Sequence, residues 1–290
     1  MKITYKDVNF QGKTLKLIAL ADAIIHEYGA QGYDLTLRQL YYQLVARGEI
    51  PNSDKMYKKL GNTISDARLA GLIDWDAIVD RTRTPRERSK WRNPKEILRS
   101  ARDSYHRDWW AGQEWRVEAW IEKDALLGVI APICNGLDML YFSCRGYVSQ
   151  SEMWRASVRH IALEEKGQSP IVLHMGDHDP SGIDMTRDIQ DRLLMFGANT
   201  EVVRIALTWE QVQQYNPPPN PAKVTDSRAA EYISQYGDTS WELDALPPNA
   251  FRDLIETHVL DYVDYDLFQE VKDTEEEERD KLAELERNYK

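Results

Sequence analysis

The apolar residues of this chain change their spacing several times, and each change marks an element. Over residues 14–28, Leu15, Ile18, Ile25 and Tyr28 fall on one side of a helical wheel. Thr36 followed by Gln39 is a capping box that opens a helix through Leu40, Tyr41, Leu44 and Val45. A third helix is predicted from about Asp54 to Ala70, with Tyr57, Leu60, Ile64 and Ala67 inward and Gly71 as its stop. Ile73, Trp75, Ile78 and Val79 follow in a looser, strand-like segment. Two capped helices, a longer third helix and a β-ribbon describe a winged helix-turn-helix, a DNA-docking module. Beyond residue 115 the period alternates. A strand ends at Glu122-Lys123, then come a helix through Leu126, Leu127 and Ile130, a short strand from Met139 to Ser143, and a helix from about Glu152 to Leu163. A strand from Ile171 to Met175, a helix through Ile183, Ile189, Leu193 and Leu194, and a strand from Glu201 to Leu207 complete the series. Strands alternating with helices imply a parallel, doubly wound sheet with helices on both faces.

The richest chemistry lies at 171–182, where an apolar strand runs into Asp177 and Asp179 and a Pro-Ser-Gly turn opens the next helix. In extended backbone, residues two apart share a side, with Cα atoms roughly 7 Å apart. Both carboxylates can therefore face one point at the carboxyl end of a strand, where open α/β sheets place their ligands. Adjacent carboxylates repel unless a cation lies between them, and hard oxygen donors suit Mg²⁺. An Asx-stabilised turn or a fragment of a calcium loop explains the same residues without catalysis. Glu122 supplies a further acid at a strand end.

A Glu after the first strand and an Asp-x-Asp after the third resemble the toprim domain of topoisomerases, primases and related nucleases. That resemblance implies that Glu122, Asp177 and Asp179 hold Mg²⁺, or Mn²⁺, against a nucleic-acid phosphate. Lys123 is either a phosphate contact or a salt-bridge partner. Arg38-Gln-Leu-Tyr41-Tyr42 resembles the Arg-x-x-Tyr-Tyr motif of the A subunit of topoisomerase VI and its meiotic double-strand-break relatives. There the second tyrosine is the nucleophile, which corresponds here to Tyr42. Tyr41 falls on the apolar stripe, whereas Tyr42 lies one step round the helix and can reach outward. The runs Ala206–Pro218 and Trp241–Pro248 are also similar to segments of that family, so the resemblance spans roughly residues 10–265.

A phenol of pKa about 10 is only about one-thousandth ionised at neutral pH, so its activation is worth roughly 4 kcal/mol. Arg38 could stabilise the phenolate, and a metal the charge on the phosphate under attack. The family implies a 5′-phosphotyrosyl link, a free 3′-hydroxyl, and a tyrosine that works with the metal site of a partner subunit. A homodimer would then cut both strands of duplex DNA. At 290 residues the chain is shorter than a typical A subunit, which puts docking to an ATPase B-type subunit in doubt. It looks more like the compact stand-alone members of phages and mobile elements.

Composition adds detail. A net charge of −11 argues against DNA binding until its distribution is considered. Arg81, Arg83, Arg86, Arg88 and further cations through Arg116 form a basic strip between the two modules, leading into a helix with Tyr105, Trp109 and Trp110. A DNA backbone could run along it, or its arginines could pair with acids elsewhere. The acidity concentrates after Asp261 in a long exposed helix, an oligomerisation arm or, alternatively, a DNA mimic over the basic groove. Pro217–Pro221 reads as a stiff surface loop. Cys134 and Cys144 lack metal spacing and read as buried free thiols. His178 alternates away from the two aspartates, which favours packing or phosphate contact. No run approaches a membrane span and the first residues lack a signal core, so a cytoplasmic protein is expected.

The expectation is therefore an α/β chain: a winged-helix domain (1–83) carrying Tyr42, a basic linker (84–114), a toprim domain (115–265) and an acidic helix (266–290). Its expected activity is Mg²⁺-dependent transesterification of duplex DNA. A toprim nuclease that uses water, or a non-catalytic DNA-binding subunit, accounts for fewer of the motifs.

Overall fold

The computed structural model describes residues 1–78, 88–222 and 228–289. Strands β1 (Trp115–Ile121), β2 (Leu140–Ser143), β3 (Ser169–Met175) and β4 (Glu201–Ala206) form a parallel sheet in the order β2-β1-β3-β4. Within β1, Val117, Ala119 and Ile121 join the larger apolar core, while Trp120 points into a smaller one on the opposite face. Ile171, Leu173 and Met175 alternate with Val172 in the same way along β3. This two-sided burial is what a period of two produces in a strand covered on both faces.

The smaller core packs under α6 (Gln150–Glu164) and α7 (Pro180–Met195). The larger core is shared by α5 (Leu127–Gly136), α10 (Pro248–Val259) and the N-terminal helices α1 (Gly12–Ala30), α2 (Leu37–Ala46) and α3 (Asp54–Leu69). The chain leaves β1 through α5 toward one edge of the sheet, and leaves β3 through α7 toward the other. The carboxyl ends of β1 and β3 thus flank the topological switch point, the crevice where open α/β sheets bind ligands.

The capping box is present: Thr36 accepts from the Gln39 amide and the Gln39 side chain from the Thr36 amide. Gly71 follows α3 with φ +72°, a conformation that favours glycine. Several expectations need correction. Leu15 and Leu194 are exposed, while Ala21 and Ile24 complete the buried face of α1. Residues 73–78 form no strand, and Ile78 makes a single bridge to Leu35; Val79, the last residue of the expected strand-like segment, lies outside the described residues. Arg68 donates to the carbonyls of Trp75 and Ile78 and ties this irregular segment to α3.

The helix of the linker, α4 (Pro94–Ser104), stops before the aromatic residues assigned to it. Trp110 is fully buried and donates its indole N–H to the Leu137 carbonyl at 2.8 Å, which draws the chain out of helical geometry. The acidic helix α11 (Tyr265–Asn288) lies against α4 rather than standing free as an arm. Glu286 is buried and accepts from both Arg99 and Arg102, and Arg107 pairs with Glu278. Two arginines of α4 converge on the one buried Glu286, and Arg107 beyond the helix meets Glu278, so arginines of the basic strip pair with acids elsewhere in the chain. Pro219–Pro221 is likewise not a loop but β5, paired antiparallel with β6 (Thr239–Trp241). Among the described residues, no helix is long and apolar enough to cross a membrane.

Candidate active-site cleft

The acids at the switch point are held by backbone geometry. β1 and β3 run in register to their ends, and the Glu122 amide continues the ladder by donating to the Met175 carbonyl at 2.8 Å. The Glu122 side chain then reaches across, where its Oε2 accepts the Asp177 amide at 2.8 Å. Asp177 is buried, and its Oδ1 accepts from the Leu243 amide at 2.7 Å and from Lys123 Nζ at 2.8 Å. Asp179 is the N-cap of α7: its Oδ1 accepts from the Gly182 amide at 2.6 Å and the Ser181 hydroxyl at 3.0 Å. The Asx-type turn and the acidic motif are therefore one structure. A side chain at residue 182 has no room, because a Cβ there would lie 2.2 Å from the Asp177 carbonyl oxygen.

Arg204, within β4, organises this loop. Its guanidinium donates to the carbonyls of Gly176 (3.0 Å), Asp177 (2.6 Å), Gly182 (2.7 Å) and Leu207 (3.2 Å). Burial lowers its pKa to about 10, against the pull of Glu122, Asp177 and Asp179. Burial also raises the Asp177 carboxyl to about 8, helped by Glu122 and Glu242 and opposed by Lys123. Glu122 is raised above the usual carboxylate range, again chiefly by burial.

The N-terminal helices complete the site. Tyr42 and Arg38 from α2 line a cleft of about 450 Å³ together with Asn52, Asp179, Asn220 and Glu242. Tyr42 does not reach out to solvent as its helical position implies. It is buried because α2 packs against the 3₁₀ turn Leu243–Ala245, with its ring 5.6 Å from the Arg38 Cζ. Burial, then Glu242, raises the Tyr42 pKa, while Arg38 and a hydrogen bond with Asn220 lower it. Tyr41 is buried as expected, and its hydroxyl donates to Asn52 Oδ1 at 2.9 Å.

Arg38 is itself claimed by acids. It contacts Glu242 at 2.8 Å and Asp244 at 2.5 Å, and Lys123 contacts the same two carboxylates besides Asp177. Burial works against both cations, yet these acids hold the pKa of each above its ordinary value. Of the two roles open to Lys123, the salt-bridge partner is the one present. His178 packs among Trp209, Tyr232, Tyr236 and Trp241, with its Nδ1 2.9 Å from the Tyr232 hydroxyl. Cys134 and Cys144 are buried free thiols with pKa values pushed up to about 12 by burial.

Arg81, Arg83 and Arg86 lie outside the described residues, and Arg88 is exposed. Among the described residues, no group of three or more His, Cys, Asp or Glu side chains is disposed to hold a metal ion. The donor chemistry nonetheless suits Mg²⁺: the described contacts engage one oxygen each of Glu122, Asp177 and Asp179, leaving a second hard oxygen on each. Sequence reasoning missed Glu242, Asp244 and Arg204 as site residues. Arg204 had a visible signal, a lone cation in an apolar strand. Glu242 and Asp244 lie in the Trp241–Pro248 run, but nothing local says that they meet Arg38. No family model, curated protein or solved structure matches this chain.

Proposed function

We propose that this chain cleaves duplex DNA by transesterification in the cleft between α2 and the switch point, as a topoisomerase VI A-like protein. The observation that carries the reading is that Tyr42, Arg38 and Asp179, from regions far apart in sequence, line one cleft. Tyr42 Oη attacks a backbone phosphorus, the P–O3′ bond breaks, and a 5′-phosphotyrosyl link and a 3′-hydroxyl result. The phenolic proton leaves to water in the cleft, and the departing O3′ takes one up. Arg38, 5.6 Å from the Tyr42 ring, would lower the cost of the phenolate and hold a phosphate oxygen. Glu122, Asp177 and Asp179 would hold Mg²⁺ or Mn²⁺, which would stabilise charge on the phosphate. Arg204 fixes the loop that aims the two aspartates. The chemistry needs two such sites to sever both strands, which a homodimer would supply.

The test is a cleavage assay on supercoiled plasmid with Mg²⁺ or Mn²⁺, quenched with detergent and resolved with and without protease. Protein-linked 5′ ends that vanish in Tyr42→Phe and in Asp177→Ala are expected. A second reading keeps the metal but uses water as nucleophile, and the burial that raises the Tyr42 pKa favours it. Protein-free cuts that survive Tyr42→Phe would establish that reading and exclude the covalent one.

A further inference from the structure

Two cations far apart in sequence, Arg38 on α2 and Lys123 after β1, converge on one carboxylate, that of Glu242. The three acids around these cations are not equivalent. Asp177 Oδ1 is also fixed by the Leu243 amide, and the Asp244 side chain is 0% exposed. The Glu242 side chain is 25% exposed, lines the cleft, and every described contact of its carboxylate is to Arg38 or Lys123. It follows β6, a three-residue strand, on the short segment that leads into the 3₁₀ turn. The Glu242 side chain can therefore rotate outward by giving up only its two cations, whereas Asp177 would also lose the Leu243 amide and Asp244 has no exposed surface through which to leave.

We propose that Arg38 and Lys123 form a phosphodiester subsite and that Glu242 is its resident stand-in, displaced when a DNA backbone enters. Carboxylate and phosphodiester oxygens accept the same charge-assisted hydrogen bonds from guanidinium and ammonium groups. Each carries a single negative charge, so the exchange leaves the charge balance of the cleft unchanged. The Glu242 carboxylate thus competes with DNA for the two cations, suppressing binding until a backbone is correctly seated against both. This deepens the transesterase reading and rests on its claim that DNA occupies the cleft.

The test is binding of a fluorescein-labelled 30-base-pair duplex by anisotropy, in EDTA so that no metal-dependent step enters. Wild type, Glu242→Gln and Glu284→Gln are compared across a salt series; Glu284 is exposed on α11, away from the cleft. Glu242→Gln is expected to bind about tenfold tighter than wild type, with a salt dependence steeper by about one ion, while Glu284→Gln tracks wild type. Unchanged thermal melting of Glu242→Gln separates a gain at the cleft from one caused by partial unfolding. Equal gains in both variants, or no gain in Glu242→Gln while wild type binds, would overturn the proposal and leave the cleavage reading standing. No binding by any of the three would overturn the proposal, while the plasmid assay, which supplies the metal, judges the cleavage reading separately.

Discussion

Asp179 Oδ1 lies 2.6 Å from the Gly182 amide nitrogen, so the second acid of the strand-end motif is also the cap of the helix that follows it. The two roles separate by substitution. Asp179→Asn keeps an acceptor and should leave thermal stability within a few tenths of a kcal/mol of wild type, whereas Asp179→Ala should cost about 1 kcal/mol. Both should abolish plasmid cleavage if the carboxylate is a metal ligand. Thermal denaturation alongside the cleavage assay checks this, and full activity in Asp179→Asn would reduce the residue to a cap.

Lys123 is enclosed by Asp177, Glu242 and Asp244. Arg38 still serves Glu242 and Asp244, but removing the ammonium leaves buried Asp177 without its cation, so Lys123→Met should cost about 3–5 kcal/mol in urea denaturation. The double variant Lys123→Met/Asp177→Asn should recover part of that loss, because a neutral amide no longer needs the cation. Additive losses would mean that the pair is not coupled.

Glu118 is buried in the middle of β1 and receives both Arg159 Nε and Nη2 at 2.8 Å, with His160 3.2 Å away. Burial alone raises its pKa, but these partners win and lower it from 4.5 to about 2. A depressed carboxyl contributes stability that is present above its unfolded pKa and lost as pH falls through the folded one. The advantage of wild type over Glu118→Gln should therefore be constant above about pH 5 and shrink by about 3 kcal/mol toward pH 2. Chemical denaturation at several pH values measures it, and a pH-independent difference would refute the ion pair.

His106 lies between Asp138 (2.8 Å) and Glu275 of α11 (3.0 Å), beside the Trp109 ring. Burial works against its charge, but the two carboxylates hold its pKa above the ordinary histidine value. The stability it lends is full below about pH 6.5 and lost as pH rises through the raised pKa. Melting temperature should thus fall more across that alkaline step in wild type than in His106→Gln. Identical profiles would show that the imidazole does not help dock α11.

Much of the site was legible because its determinants are local. Apolar runs alternating with helical patterns locate the four parallel strands, and Glu122, Asp177 and Asp179 stand where such runs stop at charged residues. The Thr36–Gln39 box was readable for the same reason, since a cap and its partner lie within one turn. The linker helix stops at Ser104 rather than running on through Trp110, and its end is not legible because Trp110 meets Leu137, a contact between distant segments. The acidic helix is long and largely exposed as its composition implies, but its contact with α4 through Glu286 is not legible, because a helix rich in Glu looks the same whether its partner is water or arginines.

The sequence by itself determined the order of strands and helices, the strand-end acids and the capping residues, all properties of neighbouring positions. Only the tertiary structure decided that Tyr42 turns inward, that Arg38 and Lys123 meet on Glu242, and that Arg204 ties the acidic loop together. The physical reason is distance along the chain. Arg38 and Glu242 are 204 positions apart, and no periodicity encodes their meeting. It follows only once the sheet and α2 bury a shared apolar face, which leaves the charges between them nowhere to go but to one another.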